Sequence, residues 1–398
     1  MQKAGIVCEY NPFHLGHLYQ ITETRRILGA DAAIICAMSG DFVQRGEAAI
    51  FDKFTRAEAA CRCGADLVAE LPLPWCLSSA EGFGFGAVAI LHALGCDALS
   101  FGSESADTDA LWALADFALS EEAVKEIHTL MDHDETLSFA RARQLIAGEK
   151  LGDRAALLSM PNDILAVEYL KALRRLDARM EPLPIRRTGA EHDSRTAGAF
   201  RSAMQLREMI ERGEDVSAFI PEAAGTVFER EREAGRMRNR KLLEIALLSR
   251  LYRLEGADFD RLPDAGGGAG RRLYGALQRE NSLDSIAQAA SGKRYTAARM
   301  RRMLLSAALG IRAEDTRGAP PYIRVLAANE RGRACLHALR GNTRIPVINR
   351  AAEVRRLDER AQRIFRLGAE AHALYRLQFV TIDDRKPDAD WKTGAAIV

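Results

Sequence analysis

Residues 9–17 read Glu9-Tyr10-Asn11-Pro12-Phe13-His14-Leu15-Gly16-His17, and the rest of the chain is organised around them. The apolar run at residues 4–8, directly before this stretch, is typical of a short buried strand. Apolar residues recur at helical spacing after it, at Leu18, Ile21 and Ile27. Pro12 cannot continue strand pairing, so the sequence predicts a strand, a tight turn and a helix.

Two histidines fall in the first turn of that helix. His14 and His17 are three residues apart and so project from one face. The helix N-terminus offers free backbone N–H groups, and Gly16 lets a phosphate approach the backbone. A histidine at this position can also be a simple cap or a surface side chain. Because doubly wound folds bind nucleotides after their first strand, we favour polyphosphate binding, with His14 and His17 as candidate catalytic residues.

Composition places the chain in a broad class. Its 398 residues are enough for two or three domains, and 47% hydrophobic and 28% charged residues are usual for a soluble globular protein. The sequence has no apolar run of about 18 residues, so no membrane span is expected. The first strand leaves no room for a signal peptide, and the seven cysteines are expected to be reduced and buried. These features predict a cytoplasmic protein.

Charge is unevenly distributed along the chain. Residues 201–398 hold 37 basic and 26 acidic side chains, whereas residues 1–200 hold 19 basic and 29 acidic ones. This asymmetry predicts that the second half binds nucleic acid. The alternative is an arginine-rich genome composition that coats solvated helices. The candidate contacts lie in the acid-poor stretch at residues 271–350 and are Arg271, Arg272, Lys293, Arg294, Arg301 and Arg302.

Strand and helix patterns alternate in the first half. Buried-strand runs at residues 32–38, 66–71, 96–101 and 180–187 are interleaved with helical patterns. Such alternation predicts an α/β fold with a Rossmann-like parallel sheet over residues 1–201, followed by a mainly helical, basic domain at residues 202–398. Three glycines spaced by two at residues 82–86 indicate close packing or a ligand.

Other segments carry less specific signals. Asn162 lies in the first turn of a predicted helix, where it is either a cap or a ligand contact. The Gly-rich segment 256–270 predicts a loop, residues 286–309 and 351–377 predict helices, and residues 379–382 a terminal strand. The segment from Thr196 to Arg201 resembles another phosphate-binding helix start.

Several blocks together resemble the tRNA(Met) cytidine acetate ligase family. They are EYNPFHLGH, MSGDFVQRGEAAIFDKFTRAE, DLVAELP, SAEGFGFGAV, SFGSE, PNDILAVEYLKAL and TAGAFR, which cover most of residues 4–201 in order. The HxGH pattern alone indicates only the wider HxGH nucleotidyltransferase superfamily. The QRGE loop together with PND is far more specific.

The resemblance implies a two-step reaction in a HIGH-type nucleotidyltransferase domain. ATP and acetate would give acetyl-adenylate and pyrophosphate. The exocyclic amine of the wobble cytidine in elongator tRNA(Met) would then take the acetyl group, giving N4-acetylcytidine. The expected partners are therefore ATP, acetate, tRNA(Met) and Mg²⁺, and the sequence leaves a homodimer open.

The family's nucleotide contacts carry over to identified positions. Outside the first segment they are Gly102, Asn162 and Arg187, with the neighbouring Arg186 as the alternative to Arg187. The chain departs from the family pattern at Ala190-Glu191 and at Thr196-Ala197-Gly198. The first nucleotide-binding segment matches Val7, Cys8, Glu9, Tyr10, Asn11, Pro12, Phe13, His14, Leu15, Gly16, His17, Leu18, Tyr19 and Gln20.

Residue chemistry adds candidates for the remaining ligands. Acetate needs a small pocket, for which Ser39, Gly40 and Gln44, next to Arg45, are candidates. No carboxylate cage is visible, so the phosphates and water would supply most Mg²⁺ ligands and no side-chain metal site is predicted. Lys53 and Arg56 lie either on a solvated helix face or against tRNA phosphates.

Two other classes of function stay open. A small-molecule adenylyltransferase would use the same HxGH site but leave the basic half without a role. A non-catalytic RNA-binding protein with a relict nucleotide fold would have no reason to keep His14, Gly16 and His17.

Overall fold

The computed structural model describes residues 1–134, 136–187, 201–339 and 343–398. Strands within these ranges form one large sheet and a small hairpin. They are β1 (Lys3–Cys8), β2 (Ala33–Ser39), β3 (Phe42–Val43), β4 (Glu47–Ala48), β5 (Leu67–Leu71), β6 (Ala98–Ser103), β7 (Glu181–Arg186), β8 (Ile323–Ala328), β9 (Val347–Ile348) and β10 (Ala396–Ile397).

Helices account for most of the remaining chain. The α-helices of the described ranges are α1 (Leu15–Leu28), α2 (Lys53–Arg62), α3 (Leu73–Cys76), α4 (Ala80–Ala93), α5 (Thr108–Leu119), α6 (Glu121–His133), α7 (Phe139–Leu151), α8 (Pro161–Arg175), α9 (Ala203–Glu211), α10 (Glu222–Glu233), α11 (Arg240–Leu251), α12 (Gly256–Asp260), α13 (Ala269–Leu277), α14 (Leu283–Ala290), α15 (Ala297–Leu309), α16 (Glu330–Ala338), α17 (Glu359–Arg376) and α18 (Ala389–Lys392). Short 3-10 helices occupy Gly152–Ser159, Gly266–Gly268, Ala313–Thr316, Ala351–Arg356 and Ile382–Arg385.

The sheet has the order β10-β8-β5-β2-β1-β6-β7, with β9 beside β8. Strands β5, β2, β1, β6 and β7 run parallel, so their carboxyl ends share one edge. This confirms the predicted α/β fold with a parallel core. The sheet as a whole is mixed, because β8 pairs with β5 in the antiparallel direction.

Alternate residues of the central strands face two different hydrophobic cores. On β2, Ile34, Cys36 and Met38 pack with α1, α2 and α10. Ile35 and Ala37 on the same strand face the core that contains α4 and α8. A strand covered by helices on both faces is apolar throughout, as parallel strands usually are.

The second half of the chain contributes β8, β9 and β10 to this sheet, which sequence patterns did not predict. The run at Ile323–Ala328 is apolar except for Arg324, and it is short enough to be a strand or part of a buried helix. A boundary near residue 201 stays a prediction.

Of three local predictions from the second half, two are confirmed only in part and one is wrong. Segment 256–270 is a loop only between its two helices, since α12 lies within it and α13 begins there. Residues 286–309 form parts of two helices, because Thr296 caps a new helix by accepting a hydrogen bond from the backbone N–H of Arg299. No strand spans residues 379–382, where a 3-10 helix begins at Ile382.

The glycines of α4 are explained by close packing. A Cβ at Gly86 would lie 2.5 Å from Cδ1 of Trp75, and one at Gly84 would lie 3.1 Å from the ring of Tyr169. The packing alternative therefore accounts for these two positions. All seven cysteines are buried and free, as predicted. No helix among the described residues combines the length and the apolar character needed to cross a membrane.

Candidate active site

The two histidines cap the helix that follows β1. His14 is the N-cap of α1, and its Nδ1 accepts a hydrogen bond from the backbone N–H of Gly16 at 3.0 Å. The backbone N–H of His14 in turn donates to Nδ1 of His17 at 3.3 Å. The rings stack with centroids 3.7 Å apart and planes 22° apart. His14 is thus a helix cap, as the simpler interpretation held. It also lies beside His17 on one face of α1, as predicted.

These hydrogen bonds determine which nitrogen carries the proton. An Nδ1 atom that accepts from a backbone N–H is unprotonated, so a neutral ring carries its proton on Nε2. Burial, followed by the charge of Arg187, lowers the pKa of His14 to about 4. Burial, followed by the charges of His14 and Arg187, holds the pKa of His17 well below its usual value. Both rings are therefore neutral near pH 7, and each presents an Nε2–H donor.

Because His14 is buried in its neutral form, the free energy of unfolding should fall as the pH is lowered. Its folded-state pKa of about 4 lies below the ordinary value of 6.5, so the unfolded chain takes up this proton first. This contribution to stability is complete above pH 6.5 and is lost as pH falls through about 4. We expect His14→Asn, which retains an acceptor for Gly16, to lose less stability between pH 7 and 5 in urea unfolding. The difference should be on the order of 1 kcal/mol, and equal losses in both proteins would contradict it.

Aromatic side chains hold His17 in place. Its ring centroid lies 4.8 Å from that of Tyr10 and 5.6 Å from that of Phe13, and both residues are buried. Gln20 donates to the carbonyl of Ser100 at 3.2 Å and ties α1 to β6. Several side chains of the predicted nucleotide-binding segment therefore support the site from the core. Nucleotide contact by this segment stays a prediction.

Gly102, Asn162 and Arg187 come together beside the histidines. Nη1 of Arg187 donates to Oδ1 of Asn162 at 3.2 Å. A Cβ at Gly102 would lie 3.5 Å from Cγ of Arg187. Arg186 instead donates to the carbonyl of Ser105 at 3.1 Å. The geometry thus favours Arg187 over Arg186 as the residue of this cluster.

Glu104, which the sequence reasoning did not select, orients Asn162. Its Oε1 accepts from Nδ2 of Asn162 at 2.5 Å, and its Oε2 accepts from the backbone N–H of Asp163 at 3.1 Å. Glu104 therefore satisfies the N-terminus of α8, whose N-cap Met160 makes no side-chain bond. The capping role considered for Asn162 is wrong, because its side chain bridges Glu104 and Arg187. The acidic residue directly after β6 was the available signal.

Replacing Asn162 should affect ligand binding more than folding. In Asn162→Ala, Arg187 loses its hydrogen bond to the side-chain amide. Glu104 still accepts hydrogen bonds from the backbone N–H groups at the start of α8. We expect ATP affinity to fall about tenfold, equivalent to one charge-assisted hydrogen bond, with little change in the melting temperature. Calorimetric titration and thermal unfolding measure the two effects. Unfolding of the ligand-free variant would show that the residue is structural.

The acetate candidates lie at the same edge of the sheet. Ser39 is fully buried, and its hydroxyl has no hydrogen-bond partner among the described residues. A Cβ at Gly40 would lie 3.0 Å from Oε1 of Glu70. The backbone N–H of Gln44 donates to Oε1 of Glu9 at 2.7 Å. Acetate binding by Ser39, Gly40 and Gln44 stays a prediction.

Arg56 is not at the surface, so both interpretations of this residue were wrong. Its guanidinium is fully buried and donates to the backbone carbonyls of Glu9, Ser39, Gly40 and Phe51. It therefore ties the carboxyl ends of β1 and β2 together beneath the candidate site.

Lys53 is buried as well and is neither solvated nor exposed to tRNA. Its Nζ lies 2.8 Å from Oε1 of Glu70 and 3.0 Å from Oδ1 of Asp390, and Arg324 also pairs with Asp390 at 2.8 Å. Nearby, His372 lies 2.8 Å from Asp41. Although burial opposes it, the charge of His372 lowers the pKa of Asp41 to about 2. These pairs join the loop after β2 to the end of the chain.

The basic candidates of the second half are either exposed or half-buried. Arg271, Arg272, Lys293 and Arg294 are exposed. Arg272 donates to the carbonyls of Ala290 and Ser291, at 2.6 and 2.8 Å, and so caps α14. Arg301 and Arg302 are half-buried on α15. Contact of any of the six with tRNA stays a prediction.

Helix α15 contacts the β3–β4 hairpin at residues 42–48. Nε of Arg301 lies 3.5 Å from the carbonyl of Arg45. A Cβ at Gly46 would lie 2.7 Å from Cβ of Arg301, and its φ of +78° also favours glycine. The QRGE segment therefore lies between the end of β1 and the basic helices. The predicted helix start at Thr196-Ala197-Gly198 and the departure at Ala190-Glu191 lie outside the described residues.

Comparison with known proteins identifies the family. Residues 1–390 match the family model described as HIGH nucleotidyl transferase. Two curated relatives are named tRNA(Met) cytidine acetate ligase. The one from Syntrophotalea carbinolica is 36% identical and covers 89% of this chain and 86% of its own. The one from Caldanaerobacter subterraneus is 35% identical and covers 89% and 90%. The chain belongs to the tRNA(Met) cytidine acetate ligase family.

Solved structures agree with this assignment. Over the full length of both chains, the apo crystal structure of Thermotoga maritima TmcAL superposes with a TM-score of 0.92 at 30% identity. A second crystal structure of that protein, bound with alpha-thio ATP, gives a TM-score of 0.90 at 29% identity. The resemblance seen in the sequence blocks is therefore confirmed over the full length of the chain.

Proposed function

We propose that this protein is an ATP-dependent ligase that activates acetate as acetyl-adenylate and transfers the acetyl group to tRNA. The acceptor is the exocyclic amine of the wobble cytidine of elongator tRNA(Met), which becomes N4-acetylcytidine. The observation that carries the proposal is the stacked pair of neutral histidines beside Arg187, Asn162 and Gly102. The Thermotoga maritima relative was crystallised bound with alpha-thio ATP, which supports nucleotide binding by this chain.

In the first step, a carboxylate oxygen of acetate attacks the α-phosphate and pyrophosphate leaves. Negative charge grows on the α-phosphate oxygens and on the leaving group. The Nε2–H groups of His14 and His17 and the guanidinium of Arg187 can donate to that charge. Donors that are already oriented need no reorganisation during the reaction. We assign the two histidines to catalysis on this basis.

We propose that Mg²⁺ enters with the nucleotide as part of the substrate. No group of three or more His, Cys, Asp or Glu side chains is placed to hold a metal within the ranges that the structure describes. Phosphate oxygens and water would then be the main ligands, as is usual for Mg²⁺ bound to nucleotides.

In the second step, the tRNA brings its amine to the acetyl-adenylate. We propose that the exposed side chains of Arg271, Lys293 and Arg294 bind tRNA phosphates, and that the reaction takes place in the cytoplasm. The contact between Arg301 of α15 and the hairpin supports this proposal, because Gln44 of the same hairpin is bonded to Glu9 at the end of β1. A second copy of the chain as a partner stays open.

Mass spectrometry of nucleosides tests the proposed function. The protein is incubated with ATP, isotope-labelled acetate and total tRNA, and the tRNA is then digested. We expect labelled N4-acetylcytidine that depends on both ATP and acetate. Absence of the label from cytidine, with AMP joined to a small molecule instead, would identify a small-molecule adenylyltransferase.

A further inference from the structure

The Glu9 carboxylate occupies the carboxyl end of β1, five residues before His14. It is half-buried, and its Oε1 accepts from the backbone N–H of Gln44 at 2.7 Å. Its Oε2 accepts no hydrogen bond from the described residues. This oxygen is also not one of the fully buried side-chain atoms that lack a partner among those residues. One oxygen thus fixes the carboxylate, and the other is left for solvent or a ligand.

The groups around Glu9 have opposing effects on the pKa of its carboxyl group. Burial raises its pKa above the ordinary value, and the charge of Glu47 adds to this effect. The N–H of Gln44 and the guanidiniums of Arg56 and Arg207 act in the opposite direction. Further titratable groups that face it are Tyr169 on α8 and Cys76 on α3. A carboxylate with a raised pKa is a stronger base than one in water.

Glu9 is connected through the hairpin at residues 42–48 to the basic helix α15. Gln44, which binds it, belongs to the hairpin whose Gly46 lies against Arg301 of α15. Glu9 therefore lies between the helix that carries the histidines and the hairpin that touches the basic helices.

We propose that Oε2 of Glu9 accepts the proton that the substrate amine loses as it attacks acetyl-adenylate. This inference rests on the proposed function and assigns a residue to its second step. The amine nitrogen forms a bond to the acetyl carbon, and the bond from that carbon to the phosphate oxygen of AMP breaks. The electron pair of the broken bond leaves with AMP, and the amine proton moves to the carboxylate and then to water.

Chemistry explains why this step needs a base. The lone pair of an exocyclic amine on cytosine is delocalised into the ring, which makes the amine a weak nucleophile. Removal of its proton during attack restores electron density on nitrogen. A positioned base typically contributes 10²–10⁴-fold to such a step.

The variant Glu9→Gln separates proton transfer from support of the hairpin. The amide oxygen can still accept from Gln44, but the side chain cannot take a proton. We expect unchanged melting. Because Glu9 lies in the predicted nucleotide-binding segment, the readout is the ratio of the two steps, and ATP–pyrophosphate exchange with acetate should fall far less than acetyl transfer. Acetyl transfer from preformed acetyl-adenylate to tRNA, measured in a single turnover, should fall about 10²–10⁴-fold. The wild-type transfer rate should rise with pH through the pKa of Glu9, and the variant should lose this dependence.

Glu47→Gln is the matched control, because Glu47 holds the same hairpin through Arg207 at 2.8 Å and Arg238 at 3.3 Å. Because Glu47→Gln only loosens the hairpin, it should change ATP–pyrophosphate exchange and acetyl transfer by the same factor. If Glu9→Gln also lowers exchange and transfer equally, or transfers acetyl groups at the wild-type rate, the inference is overturned. Failure of wild-type exchange with acetate would instead overturn the proposed function, on which this inference depends.

Discussion

Replacement of His17 by alanine should lower acetate-dependent ATP–pyrophosphate exchange by about 10²–10³, the usual effect of removing one oriented donor to developing charge. His14→Ala should have a similar effect, since the two stacked rings present equivalent Nε2–H groups. Binding of tRNA should be unchanged in both variants, because the exposed basic residues lie on other elements. Exchange assays and filter binding measure the two properties.

Two controls separate catalysis from capping. His14→Asn retains an acceptor for the backbone N–H of Gly16 and should recover the melting temperature, but not the exchange rate. His128→Ala removes an exposed histidine on α6 and should change neither. Wild-type exchange in His17→Ala would refute the assignment of the pair to the phosphates.

Reversal of three exposed charges should weaken tRNA binding strongly. The triple variant Arg271→Glu, Lys293→Glu, Arg294→Glu removes three candidate phosphate contacts and adds like-charge repulsion. Each lost contact reduces the slope of log K against log salt by about 0.7–0.9. We expect affinity to fall by at least about tenfold at physiological salt, while adenylate formation continues. Arg272 is left in place because it caps α14.

A variant with the same change in net charge provides the comparison. Arg26→Glu, Lys125→Glu, Arg154→Glu reverses three exposed residues of the first half. It should reduce tRNA affinity much less, since only its long-range field changes. Equal binding by the basic-half variant and the wild type would mean that the charge asymmetry reflects composition. An equal loss in both variants would mean that net charge alone matters.

Much of the candidate site follows from strand ends in the sequence. His14 follows, and Gly102 ends, an apolar run that forms a parallel strand, and such strands end at a common edge. Arg187 was indicated only by the family resemblance. Periodicity and turn residues are local signals, so they predict these elements well. The choice between Arg186 and Arg187 required the structure, because neighbouring strand residues face opposite sides and either register fits the pattern.

The buried charges could not be predicted in this way. Lys53 and Arg56 lie on a helix whose charged residues suggest a solvated face, yet both side chains are buried. The partners of Lys53 include Asp390, more than 300 residues away, and those of Arg56 are backbone carbonyls. Burial of a charge depends on such distant partners. Local pattern carries no information about them, and the same holds for β8, which pairs with β5 from the other half of the chain.

The most direct test of acetate activation at the histidine pair is to measure ATP–pyrophosphate exchange under three conditions. The protein is given acetate alone, tRNA alone, or acetate and tRNA together. If acetate is activated at the histidine pair before the RNA takes part, exchange should occur with acetate alone. It should be lost in His17→Ala and be independent of the basic-half substitutions. Exchange that requires tRNA, or that proceeds without acetate, would contradict the proposed formation of acetyl-adenylate at this site.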